Sequence, residues 1–235
     1  QAPTVTGKLP NPYAIGCAFM WLPFFLAGHL WAASTGAPTD GYSQPYHAAI
    51  YLANVAYGLA GMLCTYLVAR RYFSMSAAVS GTVIVWLCTN VMYYLFPRLP
   101  MSHTTSMFVV TIVLWLWVRA DGPVGTGRAA ALGAVGGLAA LVRWQNALFM
   151  LLPATELVAD TCRRDRTGPV RAQTAARLTL MTLLFLIVFS PQLLAWHCIY
   201  GRWLTVPQGS GYVTWWNPHL FDVLLSSRHG LISWT

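Results

Sequence analysis

Apolar residues in this chain fall into blocks long enough to cross a bilayer, not into the narrow stripes of a soluble helix. The blocks are about Tyr13–Ala33, His47–Ala69, Ala77–Phe96, His103–Val118, a long stretch Ala129–Val158, and Ala175–Tyr200. A hydrocarbon core of about 30 Å takes about 20 apolar residues of helix, and most of the blocks fit that length. The pattern predicts an all-α integral membrane protein, a polytopic bundle in a single transmembrane domain over residues 1–235. Residues 1–46 read as an outer loop containing a juxtamembrane or membrane helix, residues 47–200 as membrane helices, and residues 201–235 as a second outer loop. Within that last loop, His219–Leu225 is a short amphipathic stretch suited to the interface.

The stretch Ala129–Val158 is too long for one span. As a single helix it would measure about 45 Å. Arg143-Trp144-Gln145-Asn146 interrupts it, and charge decides how. With Arg70-Arg71 on the cytoplasmic side, Arg119 and Arg128 fall there too. A single span would then carry Arg163, Arg164, Arg166 and Arg171 outside, against the positive-inside rule. Two short helices hinged at Arg143–Asn146 return the chain. The first of them carries Ala129, Gly133 and Gly137 on one face, where small residues let helices approach closely in lipid. On this topology Asp40–His47, Tyr93–His103, Arg143–Asn146 and everything after Tyr200 share the outer face.

Composition sharpens the membrane reading. Hydrophobic residues make up 57% of the chain, charged residues 9%, and mean hydropathy is +0.54. That is too little charge to cover a soluble surface. The net charge of +8 comes from arginines in short loops, with Lys8 the single lysine. That arrangement marks topology, not a groove for nucleic acid. Cys17, Cys64, Cys88, Cys162 and Cys198 are scattered without a CxxC pair, which gives no disulfide framework and no zinc site. The chain begins at Gln1 without a methionine, so an internal piece of a longer protein is expected.

Candidate chemistry gathers on the expected outer face. Arg143, between two apolar helices, is costly without a partner or water. Its fork of donors suits phosphate oxygens; the alternative is an arginine that snorkels to headgroups. Gln145 and Asn146 beside it favour a polar pocket. Ser102 and His103, just after Arg98, read either as a helix cap and an interfacial histidine or as a phosphate-binding rim. Asp40, in a Gly-Tyr turn, and Asp222, on the short amphipathic stretch, are weak candidates for a general base. Asn54 and Asn90 read as interhelical glue. No metal-ligand cluster is visible, so the cofactor is open between none and a divalent metal.

Several short motifs carry a family likeness. They are Pro10-Asn11-Pro12-Tyr13 with Ile15-Gly16 and Trp21-Leu22-Pro23, then Arg70-Arg71-Tyr72-Phe73, and Met101-Ser102-His103. Gly137-Leu138-Ala139-Ala140-Leu141-Val142-Arg143, Ser190-Pro191-Gln192, and His229-Gly230-Leu231 with Trp234 complete the set. In these the chain resembles polytopic glycosyltransferases of the GT-C fold, of the bacterial glycosyltransferase family 39 type, kin of protein O-mannosyltransferases and aminoarabinose transferases. The resemblance implies a GT-C bundle with short broken helices in a bacterial inner (plasma) membrane, its site facing the periplasm or exterior. It implies inverting transfer of a sugar from a polyprenyl-phosphate carrier to an acceptor hydroxyl. It also implies a juxtamembrane helix at Tyr13–Ala33 and a general-base carboxylate upstream of Gln1, leaving this piece inactive alone. His229 joins the expected substrate-binding set. Where relatives carry a carboxylate near the start of the fourth span, this chain has His103. A transporter or lipid flippase, which should show an internal repeat that the sequence lacks, and a non-catalytic scaffold are the alternatives.

Overall fold

A computed structural model describes residues 2–95, 101–119, 121–163, 167–208 and 219–226. Among these every regular element is helical: α1 (Gly16–Thr35), α2 (Gln44–Arg70), α3 (Met75–Leu87), α4 (Val91–Leu95), α5 (Ser102–Val118), α6 (Thr126–Val142), a 3-10 segment (Trp144–Met150), α7 (Leu151–Cys162), α8 (Gly168–Tyr200) and α9 (Leu220–Leu225). Three of them, α1, α2 and α8, are long and apolar enough to cross a membrane. Rows of large apolar side chains stay exposed, among them Leu59 and Leu63 on α2 and Leu183, Leu186 and Ile187 on α8. Such rows are a liability in water and the normal outer face of a helix in lipid.

The chain divides into two compact units, one of residues 1–13 and 196–235, the other of residues 14–195. In the first unit the beginning of the chain is tied to the end of α8. Thr4 and Thr6 hydroxyls donate to the Ile199 carbonyl, and the Asn11 backbone exchanges two hydrogen bonds with the Tyr200 hydroxyl. His197 stacks on Trp203 with ring centroids 4.3 Å apart. The two expected outer loops thus supply residues to one unit.

The second unit holds the bundle. α2 and α5 run parallel, with Asn54 meeting Thr104 and Gly61 meeting Met107 and Phe108. α6 and α8 also run parallel. Gly133 lies against Met181 and Gly137 against Phe185 and Val188, so a side chain at either glycine would strike the facing helix. That is the close approach expected of the small-residue face. The core lies where α5, α6, α7 and α8 meet, with Val109, Val113, Leu132, Ala139, Leu157 and Met181 buried together.

Local chemistry sets the helix ends. α1 stops at Gly36, whose φ of 69° is left-handed. Asp40 Oδ1 accepts from the Tyr42 and Ser43 backbone N–H groups at 2.8 and 3.0 Å, building the turn into α2, where Pro45 sits in the first turn. In α8, Pro191 supplies no N–H to the Ile187 carbonyl, and the Ser190 hydroxyl donates to it at 2.8 Å.

Two expectations about the helices change. Ala77–Phe96 is not one span: α3 ends at Leu87 and α4 restarts at Val91. The Thr89 hydroxyl, donating to the Val85 carbonyl at 2.5 Å and accepting from the Val91 N–H, offers the backbone an alternative to continuing the helix. Asn90 lies exposed in this break, so it is not interhelical glue, whereas buried Asn54 is. The block Tyr13–Ala33 is helical as α1, and its first turns touch α5 and α6. Trp21 Nε1 donates to Thr105 Oγ1 at 3.0 Å, and Gly16 lies against Leu141 and Val142. Its remaining length packs antiparallel on the first half of α2, with the Tyr57 hydroxyl on the Met20 carbonyl and Gly28 against Pro45, Tyr46 and Ala49.

The long stretch does reverse. Trp117, at the end of α5, donates from Nε1 to Glu156 Oε2 of α7 at 2.6 Å. Gly122–Val124, before α6, share a cavity with Ala159, Asp160 and Arg163, after the reversal. The start of α6 and the end of α7 therefore lie at one end of the bundle, and the turn at Arg143–Met150 lies at the other.

Candidate functional site

At the turn, α6 ends because Arg143 leaves the helix with φ −150° and ψ 117°. Asn146 holds the break open. Its Nδ2 donates to the Ala139 carbonyl at 3.0 Å and to Ser106 Oγ at 2.9 Å, and its Oδ1 lies 3.2 Å from the same hydroxyl. One buried amide thus closes the end of α6 and ties the 3-10 segment to α5. Gly16 presses on the backbone of Leu141–Val142, one residue before Arg143. The start of α1 is fixed in turn by Gln192, 1% exposed, whose Oε1 accepts from the Ile15 N–H at 2.9 Å.

Arg143 itself is half-buried, and its Nη1 lies 2.9 Å from His103 Nδ1. A guanidinium can only donate, so Nδ1 is the acceptor and the imidazole is neutral in this arrangement. The His103 ring stacks on Tyr94, centroids 3.9 Å apart and planes 23° from parallel. Tyr94 is placed by Asn54, whose Nδ2 donates to the Tyr94 and Leu95 carbonyls at 2.9 and 3.3 Å while its Oδ1 accepts from Thr104 at 2.5 Å. The sequence offered no sign of this platform, because nothing in a Tyr-Tyr pair says which ring will meet a histidine. Among the described residues no carboxylate pairs with Arg143. A cation is held by a neutral, stacked partner, and among the described residues the remaining donors of its fork have no side-chain partner. That is the electrostatic setting of an anion site.

The other expected residues fare differently. Gln145 is half-buried and makes no hydrogen bond among the described residues, so its amide is free to face a ligand. Asn146 is in the site, but its amide is consumed by the hinge. Ser102 does not cap α5: the capping position is Met101, without a side-chain bond, and Ser102 is the first helical residue. Arg98 and His229 lie outside the described residues. Asp40 is spent on its own turn, and Asp222 is exposed, 3.1 Å from His219. Neither is presented as a base. Among the described residues no three His, Cys, Asp or Glu side chains converge as a metal site would require.

In comparisons with protein-family models, curated proteins and solved structures, nothing matches the chain.

Proposed function

We propose that this chain is the membrane region of a glycosyltransferase of the GT-C type, which moves a sugar from a polyprenyl-phosphate carrier to an acceptor hydroxyl. The observation that carries the reading is Arg143: a cation at a helix break within an apolar bundle, partnered by neutral His103 and by no described carboxylate. In this reading the guanidinium binds the carrier phosphate and stabilises the negative charge that grows on it as the glycosidic bond breaks. His103 and Tyr94 aim the fork, and Gln145 lines the approach. The acceptor needs a carboxylate within hydrogen-bond distance of its hydroxyl, which this reading assigns to sequence before Gln1. The charge pattern supports an exterior position for the Arg143 end. Arg71, Arg119, Arg128, Arg163 and Arg171 gather at the other end, where Arg171 donates to the Arg163 carbonyl and Arg128 to that of Gly122.

The test is transfer of labelled sugar from a polyprenyl-phosphate donor by the whole protein in lipid. R143A should cut turnover by about 10²-fold or more, the scale for losing an electrostatic stabiliser. R143K should recover only part, since an ammonium lacks the planar fork. Near-normal turnover of R143A at normal membrane abundance would leave Arg143 as a snorkelling side chain.

A further inference from the structure

A buried amide in an apolar bundle is costly unless it is bonded. Gln192 of α8 is such a group, and its Oε1 accepts from the Ile15 N–H at 2.9 Å, across 177 residues of sequence. Ile15 stands at the capping position of α1 and has no side-chain acceptor to offer the turn that follows. The donors at this helix start therefore depend on partners from elsewhere. A leucine at 192 would fill the same space without the bond.

The next link is steric. Gly16 follows Ile15, and a side chain at Gly16 would strike the Leu141 and Val142 backbone. Backbone bears on backbone there, with no flexible side chain between to absorb a shift. A displacement of Ile15 therefore reaches the last peptide unit within α6, directly before Arg143 leaves the helix.

The seam between α6 and α8 sets the register of this junction. Gly137 lies against Phe185 and Val188, and Gln192 continues that face of α8, seven residues after Phe185 and four after Val188. Leu141 follows Gly137 on α6 in the same way. One turn beyond the glycine contact, both helices meet residues 15 and 16 of α1. Asn146 grips the same last turn of α6 through the Ala139 carbonyl and ties it to Ser106. Two buried amides thus set the turn that carries Arg143, one from the 3-10 segment and one from α8.

We propose that Gln192 is a positioning residue for the phosphate site, acting on Arg143 through the start of α1. The inference rests on the reading of Arg143 as an anion ligand and adds the group that aims it from the far side of the bundle's sequence.

The experiment compares the whole protein with its Q192M, R143A and R143A/Q192M variants in lipid nanodiscs. Each is titrated with a polyprenyl phosphate and with the matching neutral polyprenol. Methionine keeps the length of the side chain and fills its space while removing the acceptor. Q192M should weaken polyprenyl phosphate binding by about fivefold, the scale of one net hydrogen bond, and leave polyprenol binding as in the parent. In the R143A background the same substitution should change neither ligand, because its effect runs through the guanidinium. If Q192M does not fold, Q192N takes its place, polar but one methylene short of Ile15. An equal loss for phosphate and polyprenol, or the same loss with and without Arg143, would make Gln192 a packing residue and overturn the proposal. So would a full phosphate preference in Q192M where R143A abolishes it. A preference that persists in R143A overturns the anion reading itself, and the inference with it.

Discussion

The two ends of the helix bundle handle charge in opposite ways. At the Arg163 end, opposite charges sit together: Arg71 bonds Asp121, and Glu156, Asp160 and Arg163 line one cavity. At the Arg143 end, the cation is set against a neutral imidazole, and the nearby amide of Asn146 is spent on shaping the backbone. An ion pair is already answered. A guanidinium held in place with no answering carboxylate among the described residues suits an anion from elsewhere. The lesson is that, in an apolar bundle, the partner of a charge separates topology from chemistry better than the charge itself does.

The sharpest way to break this contrast is to disturb the Arg143 turn without touching a charge. G16V places a branched side chain against the Leu141–Val142 backbone, which cannot yield as a flexible side chain would. Overpacking of this kind costs about 1–3 kcal/mol. G16V should lower the thermal unfolding temperature and displace Arg143, so that transfer falls well beyond the loss in abundance. At the other end, Gly127 of α6 has nothing within 4 Å of the space its side chain would take. G127A should fold and transfer as the parent does, since alanine is the better helix former and meets nothing there, and a loss as large as that of G16V would mean that the Arg143 turn is no more sensitive than the opposite end.

A smaller effect is expected from the Arg71–Asp121 pair, whose side chains are 35% and 90% exposed. R71Q should change stability by about 1 kcal/mol or less, as exposed ion pairs do. Its turnover should stay near that of the parent. A turnover loss rivalling that of R143A, measured at equal abundance, would erase the distinction between the two ends.

The reversal at Arg143 was legible because two constraints met there: a run too long for one span and a charge distribution that a single span would violate. Asp40 was legible for a local reason, since an Asp before Gly-Tyr bonds its own turn. The break after Leu87 was not, because Ala77–Phe96 is long and apolar enough for one span and its Asn90 reads as interhelical glue, while the competition of the Thr89 hydroxyl with the helix shows only in the structure. The roles within the site were mixed. A sequence can place Asn146 beside Arg143, but it cannot say that the amide closes α6 while Gln145 makes no hydrogen bond among the described residues. The stacking of Tyr94 on His103 depends on Asn54, 40 residues earlier than Tyr94, gripping the end of α4, and that contact belongs to tertiary packing alone.

The account stands on Arg143 as a phosphate site, and binding tests that more directly than turnover. A labelled polyprenyl phosphate and the matching neutral polyprenol would be titrated against the whole protein and its R143A variant in lipid nanodiscs. The phosphate should bind the parent at least about tenfold more tightly than the alcohol, the scale of a charge-assisted contact, and R143A should erase that difference while leaving polyprenol binding unchanged. A phosphate preference that persists in R143A would contradict the account and return Arg143 to the headgroup layer.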